Sequence, residues 1–210
     1  MSAFPLSRRT AIIGGLMLTP ALSACGKGSK SGGVTSNDMT LGNPNAKVTV
    51  VEYASVACPV CGHWYRDVFP AFRAKYIDTG KIHFIYREML VGGSDEVALA
   101  ASGFLLARCA GKDKYFSVVD AIYQSQPTLF EQPRQTLLNI AKSAGFSEAQ
   151  FDACVKDDAA TQALAKRVDD NSKIDNVNAT PTFVINGNKL EAGFHPLVDL
   201  DAAIAKAQAA

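Results

Sequence analysis

The pattern of hydrophobic and polar positions predicts a strand, a long helix and a second strand early in the folded part of the chain. Residues 47–53 are rich in β-branched and apolar side chains, which is typical of a buried strand. Pro59 favours the first turn of a helix, which is expected to run to about residue 78 with a bend near Pro70. Residues 81–87 alternate well enough for a second strand. This order predicts a parallel pair of strands joined by a helix.

Residues 95–175 carry helical patterns only, and strands return after them. The expected strand at 182–185 leads into Asn186-Gly187, a strong hairpin signal, and residues 188–191 pair back. An amphipathic helix at 197–208 closes the chain. The prediction is an α/β protein in which a helical module separates the βαβ and ββα halves of one sheet. The helices expected in the module, between punctuating Gly and Pro residues, are 95–109, 113–124, 133–143, 148–156 and 158–174.

The first 24 residues have the pattern of an export signal. Arg8 and Arg9 precede an apolar run at 11–22, which is too short to span a bilayer as a helix. Leu22-Ser23-Ala24-Cys25 then resembles a bacterial lipobox, which implies cleavage before Cys25 and lipidation of its thiol. The alternative is a plain secretory signal with an incidental cysteine, and Ser7-Arg8-Arg9 also hints at twin-arginine export. Residues 25–38, rich in Gly, Ser and Lys, predict a flexible tether after the lipid anchor.

Composition narrows the function only slightly. The chain has 21 basic and 20 acidic residues, and removal of Arg8 and Arg9 with the signal leaves 19 basic against 20 acidic. This balance shows no electrostatic footprint of nucleic-acid binding, so no nucleic-acid partner is expected. Export places the folded part in an oxidising compartment, where disulfides are permitted.

Two of the five cysteines are spaced as a reactive dithiol. Cys58 and Cys61 are three residues apart where a strand leads into a helix, so they share a face and lie within reach of a disulfide. The helix N-terminus carries partial positive charge and unsatisfied N–H groups, which favour a thiolate on Cys58 and lower its pKa. A thiolate is the attacking species in thiol–disulfide exchange.

Loop lengths distinguish this pair from Cys109 and Cys154. A Cys58–Cys61 disulfide closes 4 residues and a Cys109–Cys154 disulfide closes 46. The chain-entropy model assigns these loops about 2 and about 4 kcal/mol. The first disulfide is therefore easily broken, as a catalyst requires, and the second is predicted to staple the helical module. Four cysteines allow three pairings, so another connectivity stays open, as does a second redox pair at Cys109 and Cys154.

Two alternatives apply to the Cys-x-x-Cys pair. It can form half of a zinc site, but the histidines of the chain are His63, His83 and His195, and four convergent ligands are not evident. A purely structural Cys58–Cys61 disulfide is the other alternative. Neither a metal nor another cofactor is expected.

The chain resembles the DsbA-like thiol–disulfide oxidoreductases over residues 40–208. The family has a thioredoxin-like fold interrupted by a helical domain, which is the layout predicted above. The resemblance implies a thioredoxin-like domain at 39–94 and 176–210 and an inserted helical domain at 95–175. The second, non-catalytic disulfide of some members also resembles Cys109–Cys154. The segments that carry the resemblance are Val51-Glu52-Tyr53, Cys58-Pro59-Val60-Cys61-Gly62-His63-Trp64 and Ala179-Thr180-Pro181-Thr182-Phe183.

The resemblance also implies roles for individual residues. Cys58 matches the attacking cysteine and Cys61 the buried resolving cysteine. Pro181 matches a cis-proline that faces the active-site disulfide, and Thr180 would offer its backbone to an extended peptide; an ordinary proline at the entry of a strand is the alternative. Glu52 matches an acid under the active site that accepts or relays the Cys61 proton, and a carboxylate at a strand end, in solvent or in an ion pair, is the alternative.

Val60 is a departure from the best-known oxidases of the family, which carry His at this position. A histidinium there helps to hold the thiolate and makes the disulfide more oxidising. Thr180 before the proline is also common in isomerase-type relatives. The resemblance therefore implies thiol–disulfide exchange but leaves its direction open.

Four functions remain to be distinguished. The first is an oxidase that introduces disulfides into unfolded or reduced exported proteins and is reoxidised by a membrane partner. The second is an isomerase or reductase with the same residues. The third is a lipoprotein that binds a soft metal such as Cu(I), and the fourth is a binding module with a vestigial site. In each case the expected location is the cell envelope, at the periplasmic face of a membrane.

Overall fold

The computed structural model describes Met1 and residues 33–210. Apart from Met1, the predicted signal peptide at 1–24, the predicted lipidation site Cys25 and most of the predicted tether lie outside the described residues. Within the described part, no helix is both long and apolar enough to cross a membrane.

Within residues 33–210, five strands form one mixed sheet in the order β1-β3-β2-β4-β5. The pair β2 and β3 is parallel, as predicted for a strand–helix–strand unit, and the other pairs are antiparallel. Because β2 lies between β3 and β4, the chain that leaves its end starts from the centre of the sheet. The strands are β1 Met39–Gly42, β2 Val48–Ala54, β3 Ile82–Glu88, β4 Thr182–Ile185 and β5 Asn188–Lys189.

The sequence pattern did not predict β1. Its four residues pair with β3, with Met39 opposite Tyr86 and Gly42 opposite His83. Four residues are too few to show an alternation, and the strand ends at Gly42, whose φ of +80° favours glycine. A Cβ at Gly42 would also overlap the carbonyl oxygen of Ile82, so a glycine lets the edge strand approach β3.

The helix predicted from Pro59 is divided into three parts. Helix α1, Pro59–Asp67, is followed by α2, Phe69–Phe72, and by a π-helical turn, Arg73–Ile77. Pro70 lies in the first turn of α2, where its missing N–H leaves no intrahelical bond unmade. The predicted bend near Pro70 is therefore confirmed.

Five helices make up the predicted helical module, and a sixth closes the chain. No strand interrupts residues 94–174, as expected. The helices are α3 Ser94–Cys109, α4 Lys112–Leu129, α5 Pro133–Ser143, α6 Glu148–Val155, α7 Asp158–Ile174 and α8 Leu197–Ala209.

Helix α4 is longer than predicted because it continues through Pro127. The sequence pattern ended it at residue 124, since a proline removes the N–H that would bind the carbonyl four residues earlier. That carbonyl belongs to Tyr123, and it accepts a hydrogen bond of 2.8 Å from Nη1 of Arg66 on α1. A side chain of α1 therefore supplies a donor for this carbonyl, and the last turn of α4 stays helical.

The core lies on both faces of the sheet. On the larger side, Trp64 of α1 packs against Phe72 and against Phe183 of β4, with the Trp64 and Phe183 ring centroids 4.8 Å apart. Trp64 is fully buried and packs in the core. The smaller cluster, on the opposite face, consists of Val51, Tyr53, Ile85, Met89, Val177 and Val184.

The carboxylate of Glu88, at the end of β3, ties the helical module to the sheet. It is fully buried and accepts hydrogen bonds from Arg108 of α3 at 2.6 Å and from Arg167 of α7 at 3.1 Å. The hydroxyl of Tyr115 on α4 donates to the same carboxylate at 2.9 Å. One acidic residue thus binds three helices, and its charge is matched by two guanidinium groups.

The side chain of Arg87, also on β3, joins segments that are distant in sequence. Its guanidinium pairs with Asp38 at 3.2 Å and with Asp175 at 3.5 Å, and it donates to the Tyr53 hydroxyl at 2.7 Å. Asp38 is the last residue of the predicted tether, and its side chain is buried in the fold. Asp175 directly follows α7, so this network also fixes the start of the segment that leads to β4.

Candidate active site

The site begins where β2 ends. Cys58 is the N-cap residue of α1, and Pro59 takes the first position of the helix. The backbone N–H of Cys58 donates to the carbonyl of Ser55 at 3.0 Å, which closes the short loop after β2. The Sγ of Cys58 accepts a hydrogen bond from the backbone N–H of Cys61 at 3.3 Å. The structure therefore places the Cys58 sulfur at the helix N-terminus, where free N–H groups and the helix dipole favour negative charge.

The surroundings lower the pKa of the Cys58 thiol to about 6. The largest cause is a hydrogen bond with the Cys61 side chain, which favours the thiolate. Burial acts in the opposite direction but is outweighed. Cys58 is therefore largely ionised at neutral pH when it is reduced.

Cys61 has the opposite character. Its side chain is fully buried on the first turn of α1. Burial raises the pKa of the Cys61 thiol well above its usual range, and the sulfur of Cys58 and the charge of Glu52 act in the same direction. The two sulfurs thus form an asymmetric pair: Cys58 is ionised and 9% exposed, and Cys61 is protonated and fully buried.

Thr180 and Pro181 approach the dithiol from β4. Antiparallel pairing sets Thr182 opposite Tyr53 of β2, so the residues just before β4 lie beside the end of β2. The carbonyl oxygen of Thr180 is 3.5 Å from the Sγ of Cys58. The Thr180–Pro181 peptide bond is cis, as the resemblance implied.

Glu52 lies on β2 beneath the dithiol and is fully buried. Its strand neighbours are Tyr86 of β3 and Phe183 of β4. Among the residues that the structure describes, neither carboxylate oxygen has a hydrogen-bond partner. Burial raises the pKa of Glu52 well above its usual range, and the charge of Cys58 raises it further. Within residues 33–210 the carboxyl is neither exposed nor in an ion pair, and its raised pKa favours a protonated form close to Cys61.

The three histidines do not converge on the cysteines. His63 pairs with Asp67 on the surface of α1 at 2.8 Å and stacks on Phe194, with ring centroids 4.6 Å apart. His83 lies on β3, and His195 lies near α8. Over Met1 and residues 33–210, no group of three or more His, Cys, Asp or Glu side chains is placed to hold a metal ion.

Gln126 is a residue of the site that sequence reasoning missed. It projects from α4 and is buried, and its Nε2 donates to the carbonyls of Val56 at 2.8 Å and Cys58 at 3.0 Å. Its Oε1 accepts from Nη1 of Arg66 at 3.2 Å. A signal for it exists in the sequence, since Gln126 continues the apolar stripe of Val119 and Ile122 at helical spacing. A polar residue at such a core position needs a partner.

The structure joins Cys109 and Cys154 by a disulfide. It links the last residue of α3 to α6, within the helical module. Cys58 and Cys61 are the free cysteines of the described chain, so the structure contains one closed pair and one open pair.

Comparisons with known proteins agree with this architecture. The sequence matches the family described as Thioredoxin over residues 34–205. A protein named "Putative protein-disulfide oxidoreductase" from Rickettsia bellii is 34% identical over 177 residues, which cover 83% of this chain and 66% of that protein. The chain thus spans slightly less than two thirds of the length of this relative.

Two further relatives are covered more fully. The "Probable disulfide bond formation protein D" of Bacillus anthracis is 30% identical over 166 residues, which cover 77% of this chain and 76% of that protein. The crystal structure of Wolbachia pipientis alpha-DsbA1 superposes with a TM-score of 0.75 at 25% sequence identity and covers 84% of this chain and 93% of that chain.

The mixed sheet, the inserted helices and the dithiol at the start of α1 define a protein of the thioredoxin class, and the predicted α/β fold is confirmed. With the family match and these relatives, the chain belongs to the thioredoxin family, among its DsbA-like thiol–disulfide oxidoreductases.

Proposed function

We propose that the protein introduces disulfides into exported proteins through Cys58 and Cys61. The observation that carries this proposal is the asymmetry of the pair: the pKa of Cys58 is lowered to about 6, while that of the buried Cys61 is raised. A stable Cys58 thiolate favours the reduced dithiol over the disulfide, and a disulfide whose reduced form is stabilised is a strong oxidant.

The exchange takes place in two steps. A thiolate of the substrate attacks the Sγ of Cys58, the Cys58–Cys61 bond breaks, and the electron pair leaves on Cys61. A second substrate thiolate then attacks the substrate sulfur of the mixed disulfide, and the Cys58 thiolate leaves. The substrate loses two electrons and gains a disulfide, and the protein gains the two electrons as a dithiol.

Glu52 would supply the proton that Cys61 takes when it leaves. The carboxyl is buried near Cys61, and its raised pKa favours the protonated form that can donate to the leaving thiolate. In the reverse direction the same carboxylate would accept the proton from Cys61 as the disulfide re-forms. The absence of a hydrogen-bond partner for Glu52 among the described residues is consistent with this role.

Thr180 and Pro181 would align the substrate. The segment before β4 passes within 3.5 Å of the Cys58 sulfur, and Pro181 has no N–H that could compete for the substrate backbone. An extended peptide could pair with the backbone of Thr180, which would bring its cysteine to Cys58.

Export would place the protein in the compartment that contains its substrates and its redox partner. The signal pattern at 1–24 and the lipobox cysteine, Cys25, support a protein anchored by lipid at the periplasmic face of a membrane. A membrane redox partner would then return the dithiol of Cys58 and Cys61 to the disulfide after each cycle.

A second candidate function is isomerisation or reduction with the same residues. The observation that favours it is Val60, which lies between the two cysteines and is 41% exposed. It offers no positive charge to the Cys58 thiolate, whereas a histidinium at this position would lower the pKa of Cys58 further.

The reduction potential of Cys58–Cys61 distinguishes the two functions. It can be measured by equilibration with glutathione, on the chain carrying Cys25→Ser so that the fifth thiol does not interfere. Reference values are about −120 mV for a strong oxidant, −180 mV for an isomerase and −270 mV for a reductant. We expect a value less negative than about −180 mV. A value of about −200 mV or below would replace the oxidase proposal with isomerase or reductase activity.

A further inference from the structure

Gln126 connects the helical module to the loop that carries Cys58. Both hydrogens of its amide are used, one by the carbonyl of Val56 and the other by the carbonyl of Cys58 itself. These carbonyls lie on either side of Ala57 and of the backbone N and Cα of Cys58, so the amide holds the backbone from which the Cys58 side chain projects. The amide oxygen is also used, because it accepts a hydrogen bond from Arg66. Gln126 is 5% exposed, so water does not readily replace these contacts.

Gly62 provides the space that this contact requires. A Cβ at residue 62 would overlap the Oε1 and Cδ atoms of Gln126 and would approach Nη1 of Arg66. The residue that follows Cys61 must therefore lack a side chain for the amide of Gln126 to reach the loop. This close approach is independent of the hydrogen bonds, and it also locates the Gln126 amide against the first turn of α1.

Arg66 and Tyr123 hold Gln126 in place from the other side. Pro127 leaves the carbonyl of Tyr123 without its usual intrahelical donor, and Nη1 of Arg66 binds both this carbonyl and Oε1 of Gln126. The Tyr123 ring stacks on Tyr65, with centroids 4.4 Å apart. The last turn of α4 is thus fixed to α1 by contacts that converge on Gln126.

From these contacts we infer that Gln126 is a positioning residue for the redox reaction, which holds the loop at residues 56–58 so that the Cys58 sulfur faces the N–H of Cys61. The inference rests on the proposed roles of Cys58 and Cys61. In the disulfide form the S–S bond itself fixes both sulfurs, so the Gln126 amide contributes less to the position of the Cys58 sulfur. In the reduced form the thiolate depends on the hydrogen bond from Cys61, and that bond depends on the position of the loop. Loss of Gln126 therefore weakens the reduced form more than the oxidised form.

The test compares Gln126→Met with the parent chain, both carrying Cys25→Ser. Methionine keeps the volume and the unbranched shape of the side chain but removes both donors and the acceptor. We expect the equilibrium constant for oxidation of glutathione to fall about tenfold, which is about 30 mV toward a more reducing potential. The pH midpoint for alkylation of Cys58 should rise in parallel. The matched control is Gln124→Met on the same helix, because Gln124 is exposed and bonds only to Asp120 within α4 among the described residues; it should leave both values unchanged.

The substitution Gly62→Ala disturbs the same Gln126 contact from the side of α1. The added methyl group displaces the Gln126 amide without changing its chemistry, so it should lower the equilibrium constant to a similar extent. The double variant should show less than the sum of the two effects, since either substitution already breaks the contact. If one variant fails to fold, the other still gives the comparison.

The results separate a positioning role from a merely structural one. If Gln126→Met and Gly62→Ala lower the stability of oxidised and reduced protein equally, the potential does not change and the inference is overturned. The same holds if the double variant is strictly additive. If the parent chain itself shows no redox couple that Cys58→Ser abolishes, then the proposed function fails, and the experiment reports that outcome before any variant of Gln126 is made.

Discussion

The backbone N–H of Cys61 lies 3.3 Å from the Sγ of Cys58, so one cysteine of the pair stabilises the ionised form of the other. The relationship follows from their spacing at a helix N-terminus, where residue 58 caps the helix and residue 61 contributes the N–H that the cap receives. The pKa values of the two thiols move in opposite directions: the hydrogen bond with the Cys61 side chain is the main cause that lowers the pKa of Cys58, and burial is the main cause that raises the pKa of Cys61.

The first prediction concerns the pH dependence of Cys58. Because the thiolate is the nucleophile and the pKa is lowered to about 6, the rate of alkylation of the reduced protein by iodoacetamide should rise with a midpoint near pH 6. Mass spectrometry should place the label on Cys58, while the buried Cys61 stays unlabelled. A midpoint at pH 8 or above would contradict the lowered pKa.

The same shift predicts a pH-dependent difference between the two redox forms. The folded pKa of Cys58 lies below that of an unfolded cysteine, so the stability it contributes is present above the unfolded pKa and is lost as the pH falls through about 6. The oxidised protein has no such group. The free energy of unfolding of reduced relative to oxidised protein should therefore increase from pH 5 to pH 8. Reduced Cys58→Ser protein, compared with the same oxidised parent protein, should lack this increase.

The third prediction concerns Glu52 and is best made on the oxidised protein, in which the cysteines do not titrate. The raised pKa means that the native state holds its proton more tightly than the unfolded state, so wild-type stability falls as the pH rises above the usual carboxyl range. Glu52→Gln should be relatively more stable by about 1.4 kcal/mol for each pH unit until the folded pKa is reached. Urea unfolding from pH 5 to pH 7 measures this. A constant difference would show that Glu52 is ionised in the fold, and Glu191→Gln at an exposed site serves as the control.

The fourth prediction separates the two cysteine pairs. Replacing both Cys109 and Cys154 by Ala should lower the free energy of unfolding by about 2–4 kcal/mol, because the disulfide closes a long loop across the helical module. The potential of Cys58–Cys61 should change little, since the helical pair does not belong to the dithiol site. A large change in that potential would instead support the alternative of a second redox pair.

The fifth prediction concerns the buried guanidinium of Arg87. Arg87→Met would leave Asp38 and Asp175 with less compensation for their charges, and we expect a loss of about 3–5 kcal/mol in the free energy of unfolding. The control is Arg73→Met, because Arg73 forms an exposed ion pair with Asp78, worth about 0–1 kcal/mol. Equal losses in thermal or urea unfolding would show that the buried network contributes no more than the surface pair.

Most of the sheet and the positions of the longer helices could be predicted from local sequence, because the central strands are apolar and buried on both faces and the helices each bury one face against the core. Residues 48–54 and 82–88 show this for the strands, and the structure places them within one residue of the predicted bounds. The edge strand β1 escapes prediction because four residues give no period, and its pairing depends on β3, more than 40 residues away in sequence.

Some residues of the site could be predicted from local sequence, and others depend on tertiary contacts. The spacing of Cys58 and Cys61 and the position of Glu52 on an apolar strand can be recognised locally, so they could be predicted. For Gln126 the sequence shows only a polar residue on an apolar helical stripe, because its partners lie in a loop about 70 residues earlier and are set by tertiary contacts. The continuation of α4 through Pro127 depends likewise on a donor from another helix.

The carboxylate of Glu88 has a consequence for how the protein unfolds. It lies at the end of a sheet strand, but its partners, Arg108, Tyr115 and Arg167, belong to three different helices of the module. If the helical module unfolded or separated from the sheet on its own, the carboxylate of Glu88 would stay at the sheet without its guanidinium partners. Leaving that charge uncompensated costs free energy. The two predicted domains should therefore unfold together in a single cooperative transition. Neither the helical domain nor the thioredoxin-like domain should fold as an isolated fragment.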